Sequence, residues 1–235
     1  MFFKPNIDWL VGAIIGGVLI CMGYLTFGQV SFDRIFFFSL IFVGVICRKE
    51  VNMLSVVVIV LASQVMSEAG FNILDKPDVF VKLFVYPALI YAIYNVRGSF
   101  LDWLVFPVVG MSIVAEIYWF IVGYNPPEII WHLYLITLNM TLIFALDMRF
   151  LWVSRIWPRE EKELNIDFII KIPLLFVVLI NSIETIEYIF RHMQLTSSTV
   201  IYYAGPYINS GMAIMLLWLI FLQAYLLKSR KTLTA

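Results

Sequence analysis

The feature that most constrains this chain is the recurrence of long apolar runs between residue 9 and residue 227, with only short polar stretches separating them. Most runs are about as long as the roughly 20 residues that a helix needs to cross a bilayer. Only 14% of the residues are charged, against about 25% in ordinary soluble domains. The pattern therefore predicts an all-α fold, a polytopic membrane helix bundle without a soluble domain.

We place about eight transmembrane helices on these runs and expect four antiparallel hairpins within one membrane domain, residues 1-235. The predicted spans cover residues 9–28, 32–47, 52–68, 78–96, 101–124, 128–150, 168–190 and 201–227. The second and third are short for a bilayer, so seven spans or one re-entrant segment are the alternatives. The first run lacks a cleavage site of the signal-peptide type, and we expect it to be retained as a span.

Positive charge is distributed unevenly between the two sides of this predicted bundle. Of the 16 Lys and Arg residues, four fall on one side, namely Arg34, Lys76, Lys82 and Arg191, and the others fall on the opposite side. By the positive-inside rule we expect both termini to be cytoplasmic and the protein to lie in a bacterial inner (plasma) membrane. The formal net charge of zero and the lack of a basic stripe argue against nucleic-acid binding.

One run, residues 167–192, combines a spanning length with the densest set of polar groups in the chain. At 100° per residue, five of its side chains share a stripe about 120° wide. They are Asn181, Glu184, Glu187, Tyr188 and Arg191. Because a carboxylate in the middle of a membrane helix costs about 2.5 to 3.5 kcal/mol on insertion scales, we expect Glu184 to face protein or water.

The depths of these groups predict a polar or transport site in the outer leaflet. Helix rise places Glu116, Glu184 and His132 within one slab of the membrane. Carboxylates near a histidine suit a proton- or cation-binding site, whereas a hydrogen-bond network that only fixes helix order is the alternative. The candidate residues are Glu116, His132, Asn139, Asn181, Glu184, Glu187, Asn209 and Ser210. The last two follow Pro206, which favours a kink in the final span.

The cytoplasmic connection at about residues 149–167 is the second candidate functional segment. Its first part, FLWVSRIW, is amphipathic and aromatic and stops before Pro158, which predicts a helix on the membrane surface. A solvated connection that rests on headgroups is the alternative to a partner-docking site. The candidate docking residues are Arg155, Trp157, Glu160 and Glu161. For Arg149 we expect a partner on another span, or a side chain that reaches the headgroups.

Two function classes follow from the sequence. The first is a non-catalytic inner-membrane subunit, a scaffold, sensor or anchor of a membrane complex. The alternative is a small proton- or cation-linked transporter or oligomeric channel that uses Glu116, Glu184 and His132. Two histidines and the lack of an HExxH motif argue against a metalloenzyme, and we expect neither a cofactor nor a metal. Expected partners are membrane lipid, a homo- or hetero-oligomer, and a cytosolic or membrane partner protein, but no nucleic acid.

Overall fold

A computed structural model of the protein describes residues 7–26, 30–74, 79–95, 100–124, 129–157 and 165–233. Within these ranges the protein is all-helical and contains no strand. The helices are α1 (Ile7–Thr26), α2 (Val30–Ile46), α3 (Val51–Leu74), α4 (Val79–Asn95), α5 (Phe100–Val122), α6 (Ile129–Ile156), α7 (Asn165–Ile169), α8 (Lys171–His192) and α9 (Val200–Leu233).

Five apolar segments of these helices are long enough to cross a membrane. They are Val51–Asn72, Trp103–Val122, Ile129–Ile156, Ile166–His192 and Val200–Ser229. Their outward faces carry large apolar side chains, and on α5 Trp103 and Phe120 are 85% and 87% exposed. An apolar surface of this kind is unfavourable in water and suits acyl chains. The helices therefore indicate an integral membrane protein.

Each predicted span overlaps one long helix of the structure, and the short α7 is an addition to that prediction. The largest differences concern α3, α6 and α9, which continue to Leu74, Ile156 and Leu233, whereas the predicted spans end at residues 68, 150 and 227. In α3 the additional residues, AGFNIL, are mostly apolar apart from Asn72. There Asn72 donates a hydrogen bond to the Glu68 carbonyl at 2.8 Å. At 1.5 Å per residue α3 is about 36 Å long, sufficient for a bilayer.

The connection between α6 and α7 is shorter than the sequence predicts. The α6 helix runs without a break to Ile156, so residues 149–156 belong to it and do not form a separate surface helix. The helix ends just before Trp157, which precedes a proline and is therefore disfavoured in the helical region. Residues 158–164, including Glu160 and Glu161, lie outside the described part of the chain.

The chain divides into two compact units, the first formed by Met1–Leu61, Met148–Pro173 and Ser210–Ala235. In this unit, side chains of α9 fill a face of small residues on α1. Trp218 Nε1 donates a hydrogen bond of 2.8 Å to the Gly12 carbonyl. The Trp218 ring also covers Gly16, where an added Cβ would come within 3.1 Å of it. Glycines at these positions thus admit the α9 side chains.

The second unit consists of Ala62–Asp147 and Leu174–Asn209. Its core includes fully buried residues of α6 at helical spacing, namely Ile129, Leu133, Ile136 and Met140. They form a stripe because residues three and four apart share a helix face. On the same helix, the Tyr134 ring lies against Gly70 of α3, and its hydroxyl donates to the Met66 carbonyl. This unit contains most of the predicted polar site.

Candidate functional site

The α8 helix buries four polar side chains: Asn181, Ser182, Glu184 and Thr185. Three of them, Asn181, Ser182 and Thr185, donate hydrogen bonds of 2.7–2.8 Å to the carbonyl four residues back. Such bonds let short polar side chains lie inside a membrane protein without an outside donor or acceptor. Glu184 cannot be satisfied in this way because its ionised carboxylate only accepts hydrogen bonds.

The partner of Glu184 is His132 on α6. The distance from Glu184 Oε2 to His132 Nδ1 is 3.5 Å, and the two side chains are only 7% and 10% exposed. This distance is within the range of an ion pair but longer than an ordinary hydrogen bond. The pair therefore holds one titratable acid and one titratable base side by side, away from solvent. The expectation that Glu184 faces protein agrees with this burial.

Gly205 of α9 provides the space for the Glu184 carboxylate. A Cβ added at Gly205 would lie 1.3 Å from Glu184 Oε1 and 2.4 Å from its Cδ. The carboxylate therefore lies directly against the α9 backbone, and any larger residue at Gly205 would displace it. In the sequence this glycine is part of the segment AGPY, beside Pro206. The site therefore requires glycine at position 205, where the α9 backbone and the Glu184 carboxylate approach closely.

Several buried polar atoms of this unit lack a hydrogen-bond partner among the described residues, including His132 Nδ1, Asn181 Oδ1, Asn209 Oδ1, Tyr86 Oη and Trp119 Nε1. Asn181 lies one turn before Glu184 on α8, and Asn209 lies one turn after Gly205 on α9. Buried polar atoms in proteins are nearly always satisfied by protein or by ordered water. Asn181 Oδ1 and Asn209 Oδ1 can therefore each still accept a hydrogen bond.

Glu187 has a different environment from Glu184, although the sequence places both in one stripe. Its carboxylate accepts hydrogen bonds from Ser198 Oγ at 2.8 Å and from the Tyr202 amide at 2.7 Å. Further bonds come from the amides of Val200 and Ile201. Glu187 thus occupies the N-terminal end of α9, where free amides and the helix dipole favour a negative charge. Its contacts are those of a helix cap.

The remaining predicted site residues are Glu116, Asn139 and Ser210. Glu116 is half-buried on α5 and interacts electrostatically with Tyr86. Asn139, on α6, donates to the Leu135 carbonyl at 2.8 Å. Ser210 belongs to the first unit. That all eight residues form one site stays a prediction.

An aromatic cluster at the end of α8 extends the pair of Glu184 and His132, and the sequence-based site omits most of it. His192 lies 4.1 Å, between ring centroids, from Tyr188, and Tyr188 lies 5.9 Å from His132. The Tyr124 hydroxyl contacts His192 Nδ1, and the Trp119 ring lies against His192 at 6.3 Å. The available signal was the spacing of residues 184, 188 and 192, which places all three on one face of a helix.

Arg149 is a buried cation of the first unit with a full set of partners. Its exposure is 1%, and its Nε donates to Asp167 Oδ1 at 2.9 Å while a second nitrogen contacts Asp167 Oδ2. A further nitrogen donates to Asn52 and to Ser55 Oγ, at 3.3 and 3.2 Å. The expectation of a partner on another element is confirmed, whereas the identity of the partner was not predicted.

Two of the predicted docking residues lie on the surface. Arg155, in the last turn of α6, is exposed, and Trp157 is 47% exposed directly after that helix. Among the residues that the structure describes, no group of three His, Cys, Asp or Glu side chains could hold a metal ion.

No protein-family model matches this sequence, and neither the curated proteins nor the solved structures contain a significant match. The functional argument consequently depends on the geometry of the polar groups.

Proposed function

We propose that this protein is a small proton- or cation-linked transporter, or a channel built from several copies, in which Glu184 and His132 bind the transported ion. The observation that supports it is the 3.5 Å approach of the two buried side chains. An ionised acid in such a place needs a positive partner, which His132 supplies when it is protonated. The charge of each group therefore affects the stability of the charge on the other.

The orphaned polar atoms beside the pair favour an ion site over a network that only fixes helix order. A purely structural network is expected to satisfy all its members, because a partly satisfied one costs more than an apolar core. His132 Nδ1, Asn181 Oδ1 and Asn209 Oδ1 have no such partner within the described ranges. Water or a hydrated ion at this place would satisfy them.

Proton flux through the purified protein in liposomes tests this proposal. We expect Glu184→Gln, which keeps the size of the side chain and removes its charge, to abolish acidification of the vesicle interior under an imposed potential. The matched control is Glu68→Gln, which removes an exposed acid from α3 of the same unit and should leave flux unchanged. Flux of wild-type size in a correctly folded Glu184→Gln protein would contradict the proposal.

The topology that accompanies this function has eight spans in a bacterial inner membrane, formed by α1–α6, α8 and α9 as four antiparallel hairpins. Both termini are on the cytoplasmic side. The support for this topology is the overlap of the predicted spans with these helices and the positive-inside rule. Single cysteines at exposed helix ends, in a background of Cys21→Ala and Cys47→Ala, test it through labelling from either side of the membrane. Labelling of Arg48→Cys from the periplasmic side would contradict it.

A second candidate function is the non-catalytic subunit of a membrane complex. It is supported by the exposed Arg155 and Trp157 at the end of α6, which offer a cation and an aromatic side chain to a partner. The occupants would be membrane lipid, another copy of the chain, or a cytosolic or membrane protein. Under this function the pair of Glu184 and His132 serves packing alone.

Replacement of the predicted docking residues distinguishes the two functions. Substitution of Arg155, Trp157, Glu160 and Glu161 by alanine should release a partner from the purified complex if the subunit function is correct, with flux unaffected. The transporter function predicts the opposite pattern, loss of flux in Glu184→Gln with the same set of associated proteins. Native mass spectrometry of the solubilised particle gives the stoichiometry in both cases.

A further inference from the structure

We infer that His192 and Tyr188 form a proton path that connects the exposed end of α8 with the buried pair of Glu184 and His132. This inference rests on the proposed function and specifies how a proton reaches the site. Glu184, Tyr188 and His192 stand at intervals of four residues on α8, so they form one row along the helix. At 1.5 Å per residue the row is about 12 Å long.

The outer end of the row is accessible. Tyr124, directly after the end of α5, is 41% exposed, and its hydroxyl contacts His192 Nδ1. His192 is itself half-buried. Among side chains, an imidazole has the unperturbed proton exchange closest to neutral pH. The contact between the Tyr124 hydroxyl and the His192 imidazole is therefore suited to take up a proton from water at the headgroups.

The middle of the row is closed to solvent. Tyr188 is only 2% exposed, and it touches both histidines of the chain, with ring centroids 4.1 Å from His192 and 5.9 Å from His132. A phenol hydroxyl both donates and accepts hydrogen bonds, and a neutral imidazole accepts a proton on one nitrogen while it releases one from the other. The sequence of side chains thus alternates between groups that can pass a proton onward.

The transfer conserves protons at each step. One proton binds His192, a proton passes through the Tyr188 hydroxyl to His132, and His132 gives a proton to the Glu184 carboxylate 3.5 Å away. The net result is one proton moved from outer water to Glu184, and every relay group keeps the number of protons with which it started, the imidazoles having exchanged their tautomers. Among the described residues, titratable or charged groups in contact with the row include Tyr124 just after α5, His132 from α6 and Arg191 of α8. From α9, Gly205 and the Tyr202 ring complete the surroundings.

The charge of Arg191 acts on the middle of this row. Its guanidinium lies 5.6 Å from the Tyr188 ring centroid and 4.6 Å from that of Tyr202. A fixed cation there makes a second positive charge on the same stretch unfavourable. A proton is therefore better accommodated on the Glu184 carboxylate, at the inner end of the row.

A pH-jump experiment on the full-length protein in liposomes tests the path. After a jump from about pH 8 to about pH 5, which spans histidine titration, time-resolved infrared spectroscopy follows the carboxyl band that Glu184→Gln removes. We expect His192→Ala and Tyr188→Phe each to slow this band about a hundredfold, the lower end of what a positioned proton-transfer group contributes. The final amplitude should stay at the wild-type value, since Glu184 and His132 are intact.

Added imidazole provides a readout that a merely structural role of His192 would not change. It should restore the rate in His192→Ala and have no effect in Tyr188→Phe. The control variant is Tyr118→Phe, an exposed tyrosine of α5, which should retain the wild-type rate. If His192→Ala does not fold, His192→Gln replaces it.

Two results overturn the inference, and they can be told apart. A wild-type rate in both His192→Ala and Tyr188→Phe would refute the path but leave the Glu184 site standing. A wild-type protein that shows no carboxyl band dependent on Glu184 refutes the proposed function itself, and with it the path.

Discussion

At the scale of single residues, Gly123 and Gln194 show how backbone conformation ends two helices in the same way. Both have positive φ, 74° and 59°, directly after α5 and close to the end of α8. In each case the amide of the following residue bonds to the carbonyl five residues before it, at 2.8 and 2.9 Å. This is the Schellman arrangement, which glycine adopts without strain and a residue with a Cβ does not.

Substitutions at these two helix ends should change the stability of the protein in opposite directions. We expect Gln194→Gly to stabilise the protein by about 1 kcal/mol. Gly123→Ala should destabilise it by about 1 to 2 kcal/mol through backbone strain alone, because nothing lies within 4 Å of the added Cβ. Thermal unfolding in detergent measures both. Ser197→Gly, in the same exposed loop as Gln194, is the control that should give no gain.

Gly205→Ala should disrupt the Glu184 site without a change of charge. The added methyl would overlap the carboxylate, 1.3 Å from Oε1, so the acid must move away from His132. We expect proton flux to fall about tenfold or more, since misplacement of a group by about 1 Å can cost a hundredfold in rate. Gly211→Ala, on the same helix with nothing near its Cβ, is the control and should retain flux. Equal flux in the two variants would refute the importance of this contact.

Residue-level prediction succeeded where one helix determines the answer. The burial of Glu184 follows from the period of α8 alone, and this carboxylate is indeed buried. The role of Glu187 does not follow from the helix period. Its partners Ser198 and Tyr202 lie beyond a loop, and sequence patterns do not predict the conformation of that loop. The contact of Gly205 with Glu184 depends on how α9 packs beside α8, which sequence patterns also do not predict.

At the scale of elements, the interaction of α8 with the start of α9 is the clearest case of one helix stabilising another. Glu187 accepts hydrogen bonds from Ser198 and from backbone amides in the first turn of α9. A helix N-terminus has four amides without internal partners, and an acid placed there also interacts favourably with the helix dipole. The loop from Met193 to Thr199 is thereby fixed at its far end.

Loss of this cap should loosen the start of α9. We expect Glu187→Gln to destabilise the protein by about 0.5 to 2 kcal/mol, the range found for helix caps and charge at helix ends. Hydrogen exchange of the amides at residues 200–203 should accelerate, while amides in the middle of α6 remain protected. Glu68→Gln, which removes an exposed acid, should leave both measurements unchanged. Slow exchange at residues 200–203 in Glu187→Gln would show that the cap is dispensable.

Helix boundaries were predicted well where apolar residues continue to the end of the helix. They were less accurate where a helix continues through polar residues, as α9 does through Lys228 and Ser229 to Leu233. Hydropathy registers the cost of placing a residue in lipid, whereas helix formation depends on backbone hydrogen bonds and side-chain propensity. The two properties differ most at the ends of membrane helices, which is where the predictions and the structure differ.

At the scale of the whole molecule, long-range polar contacts are the property that the sequence leaves undetermined. The contact of Arg149 with Asn52 joins positions 97 residues apart, and its pair with Asp167 joins positions 18 residues apart. Composition and period predict a bundle of apolar helices without indicating which helices carry matching polar groups. The same limit applies to the pair of His132 and Glu184.

A double-mutant cycle on Arg149 and Asp167 measures what this long-range contact contributes to the first unit. Removal of one partner from a buried ion pair typically costs about 3 to 5 kcal/mol, because the remaining charge loses its compensation. We therefore expect Arg149→Met and Asp167→Asn each to lower stability by about that amount. The guanidinium is the more deeply buried group, 1% exposed against 20% for Asp167, so Asp167→Asn should be the more damaging of the two.

The double variant Arg149→Met with Asp167→Asn should be more stable than the sum of the single losses predicts, by about 1 to 3 kcal/mol of coupling. The two substitutions remove both charges together, so neither charge remains buried alone. Thermal unfolding in one detergent gives all four values of the cycle, with Arg155→Met as a control for loss of an exposed arginine. Additive effects would mean that Arg149 draws its stability from Asn52 and Ser55 instead, and the α7 helix would then be held by its apolar contacts at Ile166 and Ile170, both of which are buried.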